Sequence, residues 1–170
     1  MPICTQPIMN APFDLETKQP LAPAYYLLNY NCLKDGYRLG VTAIDHHLVI
    51  APLETHNQYQ QWILQPNFVV GAQGGGYCLM NCATGEFAKV PLKEKQFTTA
   101  AESHPFGQTD FCLTCWPAGN DQGNHLWTIQ TATKGTAMDA AGKSCVYGTP
   151  VMLWDWHGGE NQCWVFLPAL

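Results

Sequence analysis

Residues 138–164 read MDAAGKSCVYGTPVMLWDWHGGENQCW. The run places an acid, a short turn, an aromatic-rich strand, a Gly-Gly turn and an Asn-Gln-x-Trp ending within one segment. Strand alternation over Val151–Trp156 puts Val151, Leu153 and Asp155 on one face and Met152, Trp154 and Trp156 on the other. With Val151 and Leu153 turned to a core, both tryptophans face outward.

Working outward, parts of this run recur. Gln60-Gln61-Trp62-Ile63-Leu64, His125-Leu126-Trp127-Thr128-Ile129 and Gln162-Cys163-Trp164-Val165-Phe166 end alike, and Gly36, Gly76 and Gly135 each open a matching segment. Read this way, the middle unit is nearly twice as long as the others and carries an insertion, placed near 86–110, where charges gather beside the turn-prone Ser103–Gly107. Such a stretch reads as a long surface loop.

Between these landmarks the chain shows short β-branched and aromatic segments, punctuated by Gly, Asn, Asp and Pro about every ten residues, and no long i, i+3, i+4 stripe. That is an all-β pattern. Units this small cannot each bury an apolar face alone, so three of them must share one core. Residues 1–23 hold prolines and no periodicity, and are expected to form an extended arm lying on the domain.

Composition bounds the rest. At 170 residues the chain suits one domain, and with 46% apolar and only 12% charged residues it is not of the disordered class. The net charge of -5 comes without a basic cluster, which argues against nucleic acid and anionic surfaces as partners. No apolar run reaches membrane-spanning length, and the N-terminus lacks the pattern of a secretory signal, so a cytoplasmic protein with mostly reduced cysteines is expected.

The glycine-led openings and Trp endings resemble those of the ricin B-type β-trefoil lectins, from about residue 25 to the end. Gly148–Trp154, His157-Gly158-Gly159 and Asn161–Trp164 are similar to the motif run of fungal members. The resemblance implies twelve strands in three pseudo-symmetric repeats, over about 24–66, 67–130 and 131–170, and up to three sugar sites. It implies glycans as partners and the possibility of a homodimer, with no catalytic residue, cofactor or metal.

Carried over residue by residue, the family's sugar-binding parts fall on Asp139 as hydroxyl acceptor, Trp154 as stacking ring and Asn161 as amide. His157 falls at the rim and Gln162 at a buried brace. The chemistry suits a pyranose: an indole stacks on the sugar's C–H patch while polar groups take its hydroxyls. In the middle unit the same reading sets Met80 and Thr114 where Asp139 and Trp154 sit, keeping Asn124. In the first it sets Gly40 and Tyr59 for the acid and the amide. One sugar site, in the C-terminal unit, is therefore expected. Trp156 is matched to Trp116 and read as structural cover.

Rival readings use other residues. Cys78, Cys82, Cys112 and Cys115 could hold zinc, but i and i+3 on a strand point apart, and buried free thiols are the simpler expectation. No nucleophile, metalloprotease or phosphate-loop motif accompanies His46, His47 and His56, and Asp139 with Glu160 forms a glycosidase pair only in outline. The serious alternative is a trefoil that binds protein through its loops, as a protease inhibitor or a non-catalytic subunit does.

Overall fold

Strand-forming segments of five or so residues, each ended by a turn former, fold as the sequence pattern demands. The computed structural model describes residues 12–14, 16–17, 19–69, 76–132 and 135–169. Its strands are β1 (Tyr25–Asn29), β2 (Leu39–Ile44), β3 (His47–Pro52), β4 (Trp62–Pro66), β5 (Gly76–Asn81), β6 (Phe87–Lys89), β7 (Thr98–Ala100), β8 (Leu113–Asp121), β9 (Asn124–Thr131), β10 (Thr136–Ala140), β11 (Thr149–Asp155) and β12 (Trp164–Pro168). One short helix, α1 (Tyr30–Leu33), follows β1, and 3-10 turns at Gln58–Gln60, Thr109–Phe111 and Glu160–Gln162 precede β4, β8 and β12.

Six strands close into a barrel. β1 pairs with β12 and β4, β5 with β4 and β8, and β9 with β8 and β12. The other six form the hairpins β2–β3, β6–β7 and β10–β11. These meet one another: β3 pairs with both β11 and β7, and Gln96 bridges to Met152. This is a β-trefoil, and closure leaves the barrel strands no free edge.

Register defines the three units. Asn29 lies opposite Trp164, Asn81 opposite Trp62 and Thr131 opposite Leu113; four residues earlier, Tyr25, Tyr77 and Trp127 lie opposite Pro168, Pro66 and Pro117. The units therefore open on β1, β5 and β9 and close on β4, β8 and β12. Equivalent side chains stack in layers of three: Tyr25, Tyr77 and Trp127; Leu27, Leu79 and Ile129; Trp62, Leu113 and Trp164; Leu64, Cys115 and Phe166. All twelve belong to one buried cluster. Burying each of the large ones contributes about 1.5–3 kcal/mol relative to exposure.

This register corrects the repeat boundaries. Trp127 opens the third unit rather than closing the second, and the second closes on Phe111-Cys112-Leu113, where Leu113 fills the core position that Trp62 and Trp164 hold. The units are then nearly equal in length. Residues 86–110 are no insertion: they hold β6 and β7, the second unit's own hairpin. Trp127 misleads because a barrel-end aromatic and a closing tryptophan sit in the same kind of apolar alternation.

Of the arm expected over 1–23, residues 1–11, 15 and 18 lie outside the described residues. What is described enters the core. Phe13 is buried and packs against Tyr77 and Trp127 at ring-centroid distances of 5.1 and 5.3 Å, while the Tyr25 hydroxyl donates to the carbonyl of Pro12 at 2.7 Å. Phe13 thus caps the barrel end ringed by the three opening aromatics. Most of the described cysteines, Cys78, Cys82, Cys112, Cys115 and Cys163, are free, but Cys32 and Cys145 form a disulfide with their Cα atoms 5.5 Å apart, which the sequence did not suggest.

Candidate functional site

The β10–β11 hairpin sets the site's floor. Asp139 lies opposite Met152 and Ala137 opposite Trp154, so these four share the outer face, while Met138, Ala140, Val151 and Leu153 fill the core. Ala137 is small, and Trp154, 41% exposed, rises beside it. After β11 the chain turns back through His157, Gly158 and Gly159 into the 3-10 turn Glu160–Gln162, which lays Asn161 and Gln162 over the acid. Gly158, at φ +75°, makes this reversal without the penalty a side chain would bring.

Asp139 is buried and fully braced. Asn161 Nδ2 donates to its Oδ1 at 2.9 Å and Gln162 Nε2 to its Oδ2 at 2.9 Å. Asn161 Nδ2 also donates to the Ala140 carbonyl at 3.0 Å, and Gln162 Nε2 to the Asp155 carbonyl at 2.9 Å, while Gln162 Oε1 accepts from the His157 N–H. Both amides face acceptors with their nitrogens, which fixes their orientation. Asn161 therefore holds the acid by its nitrogen and has no amide hydrogen left for a ligand. Its Oδ1 is buried and has no partner among the described residues.

Burial raises the Asp139 pKa above the usual aspartate value; the Gln162 hydrogen bond, His157, the Asn161 hydrogen bond and Lys143 oppose the rise. Each carboxylate oxygen carries one internal hydrogen bond and retains acceptor capacity. His157 Nδ1 accepts from the Gly159 N–H at 3.0 Å, so the neutral ring carries its proton on Nε2, which lies 3.7 Å from Asp139 Oδ2. That gap is too long for a hydrogen bond and admits a hydroxyl that donates to the carboxylate while accepting from the imidazole. Asp139, Asn161, His157, Trp154 and Met152 line one cavity of about 380 Å³, whose far wall is Ala141, Gly142 and Lys143.

The other units lack this combination. In both outer units the closing indole N–H donates to a carbonyl, Trp62 to Val41 and Trp164 to Met138, and the glutamine two residues before it donates to the next side chain, Gln60 to Thr42 and Gln162 to Asp139. Thr42 thus occupies the acid's position, with Ala51 and Tyr59 for Trp154 and Asn161. In the second unit the pairing puts Lys89, Ala100, Asp110 and Phe111 at the four positions. The sequence equivalences through Met80, Thr114 and Asn124 fall away with the misplaced boundary, and Gly40 proves to match Ala137, two residues before the acid's position. Trp116 and Trp156 are not equivalents either: one lies on β8, the other follows β11, and together they line a larger groove of about 650 Å³.

Among the described residues the rival constellations are not brought together. Cys115 lies in the main core and Cys78 in a separate cluster with Phe87 and Phe111, and burial pushes the thiols of both up to about 12. Glu160 turns away from Asp139 to pair with Lys34 at 2.7 Å. Sequence reasoning missed the far wall, although an Ala-Gly-Lys turn after the acid's strand was a usable signal. It also missed Asn29, Asn31, Cys32 and Lys34, which reach the site from the first unit across more than a hundred residues of chain and leave no local pattern.

No family model matches the chain. Its fold is that of a β-trefoil, and its sequence is similar to plant proteins described as ricin B-like lectins. It is 26% identical over 144 residues to the ricin B-like lectin R40G2 of Oryza sativa subsp. japonica, covering 75% of this chain and 40% of the relative. With the rice ricin B-like lectin R40G3 it shares 25% identity over 160 residues, 88% of this chain and 74% of the relative. The chain thus spans well under half of R40G2. Among solved structures, the Macrolepiota procera ricin B-like lectin, determined in complex with lactose, superposes with a TM-score of 0.66 at 18% identity, covering 88% of this chain and 99% of that one. At that identity the likeness concerns the fold.

Proposed function

We propose that the protein is a non-catalytic carbohydrate-binding protein, a lectin, with one sugar site in its third unit. The observation that carries this reading is the 3.7 Å opening between His157 Nε2 and Asp139 Oδ2 at the mouth of a cavity walled by an exposed Trp154. A sugar hydroxyl bridges acid and imidazole there, and the indole stacks on the ring's C–H face. Asn161 and Gln162 act as braces that hold the carboxylate in place. The relatives named as lectins support the reading. One stacking contact and a few hydrogen bonds made in competition with water give roughly millimolar to micromolar affinity, so tight adhesion calls for multivalent glycans or a homodimer.

A glycan array tests this with wild type beside Trp154→Ala and Asp139→Asn. Signal in the wild type and its loss in both variants is expected. Retained signal in both variants overturns the assigned site. A second reading, a protein-binding trefoil, is favoured by the larger groove lined by Trp116, Pro117 and Trp156. A folded wild type silent across the array would support it.

A further inference from the structure

The segment Asn29–Lys34 of the first unit grips both walls of the third unit's cavity. On one side, Asn29 Nδ2 donates to the Asn161 carbonyl at 3.1 Å and Lys34 pairs with Glu160 at 2.7 Å. On the other, Asn31 Nδ2 donates to the Lys143 carbonyl at 3.0 Å, and Cys32 is bonded to Cys145. The two walls are held unequally. The Glu160–Gln162 wall runs straight into β12 and the barrel. The 141–148 wall is a loop with Gly142 at φ 63° and Lys143 at φ 57°, and its Val146 and Tyr147 are exposed.

A left-handed lysine costs strain that surrounding structure must hold, and a loop with so few buried contacts opens easily on its own. The loop's C-terminal end is tied to β3 by the Gly148 N–H, which donates to the Ile50 carbonyl at 2.9 Å, and is braced by the Thr149 hydroxyl, which donates to the Val146 carbonyl. In its N-terminal half the ties to the first unit are the Asn31 hydrogen bond and the disulfide.

We propose that the Cys32–Cys145 disulfide is a redox latch on the wall of the sugar site. Cys32 is fully buried while Cys145 is partly exposed, so a small dithiol reductant attacks the sulfur of Cys145. The bond to Cys32 breaks, and Cys32 leaves as a thiolate and takes up a proton. The reductant's second thiol then resolves the mixed disulfide, so the reductant ends as a disulfide and the protein gains two electrons and two protons. Ala141, Gly142 and Lys143 are then tied to the first unit by the Asn31 hydrogen bond alone, and the cavity's far wall loosens. The purpose of the latch rests on the sugar reading, but its mechanics do not.

The test compares protein purified without reductant, the same protein after dithiothreitol, and the Cys32→Ser/Cys145→Ser double variant. Alkylation with mass analysis should spare Cys32 and Cys145 until reductant is added. On reduction, amide hydrogen exchange over 141–149 should accelerate about tenfold or more while β1 and β12 keep their protection, and array signal should fall about tenfold, the double variant behaving as the reduced protein does. Full alkylation without reductant, unchanged exchange, or loss of protection throughout the barrel overturns the latch. Faster loop exchange with undiminished array signal overturns its control of binding. Faster loop exchange in a protein silent on the array in every state overturns the sugar reading instead, and leaves the latch acting on a loop of other use.

Discussion

Gln162 donates to Asp139 in the third unit at 2.9 Å just as Gln60 donates to Thr42 in the first at 3.1 Å. One scaffold contact thus serves two chemistries. In the first unit it satisfies a neutral hydroxyl; in the third it holds a buried carboxylate against the cost of its desolvation.

The two glutamines should therefore differ in worth. Gln162→Leu leaves a buried carboxylate oxygen, the Asp155 carbonyl and the His157 N–H without their partner, and a hydrogen bond to a charged group counts for about 1.5–3 kcal/mol. Gln60→Leu strands neutral groups instead, at about 1–3 kcal/mol. Urea denaturation of both variants should show the larger loss for Gln162→Leu. Equal losses would mean that Asp139 is held by other contacts.

The exposed tryptophans should separate binding from stability. Trp154, 41% exposed, lines the proposed sugar cavity, while Trp156, 50% exposed, lines the other groove. Trp154→Ala should abolish array signal and Trp156→Ala should leave it within about twofold. Each should shift stability by only about 0.5–1 kcal/mol, since neither ring is in the core. Titration of both variants against the strongest array glycan checks the pair.

This contrast also marks what the sequence revealed. The all-β class and the outward Trp154 follow from local pattern, because alternation and turn chemistry act over a few residues, while the trefoil follows from the family resemblance of the repeated openings and endings. The second unit's boundary does not. Leu113 fills the core position that tryptophan holds in the other two units, so Phe-Cys-Leu can close a unit, while Trp127 imitates the motif from another layer. Asn161 illustrates a finer limit: sequence can place an amide at a site but cannot show that both its hydrogens are already used. The grip of Cys32 and Asn31 on the far wall is long-range and has no sequence signature.

Acid should act on stability in opposite senses through two carboxylates, one of which also serves the site. Asp139 has its folded pKa raised by burial, so the native state binds a proton more readily than the unfolded chain, and this group's contribution to stability falls as pH rises through the window between its unfolded and folded values. Sugar binding through the ionised acid should be lost at a higher pH than an ordinary aspartate would give. Glu86 is the reverse. Hydrogen bonds from Thr99 and His46 lower its pKa, so the stability it supplies is present above its unfolded value and lost as pH falls through the folded one. Array signal read down a pH series, alongside urea midpoints, should show binding fail before the fold does. Simultaneous failure would remove Asp139 protonation as the cause.

Phe13 provides the sharpest test of the arm's role. An arm merely lying on a finished domain would be dispensable, and its substitution would cost a few tenths of a kcal/mol. Instead Phe13 is only 2% exposed, stacks on Tyr77 and packs at a tilt against Trp127, two of the three aromatics that ring the barrel end, and the Tyr25 hydroxyl, from the third, donates to the Pro12 carbonyl. Phe13→Ala should open a cavity there and cost about 3–5 kcal/mol, with Phe13→Leu recovering much of it. Among the described residues the proposed sugar cavity draws no lining from the arm, so array signal at a temperature where Phe13→Ala remains folded should match wild type. A loss below about 1 kcal/mol would return the arm to the surface, and a loss of binding without a loss of stability would tie it to the site.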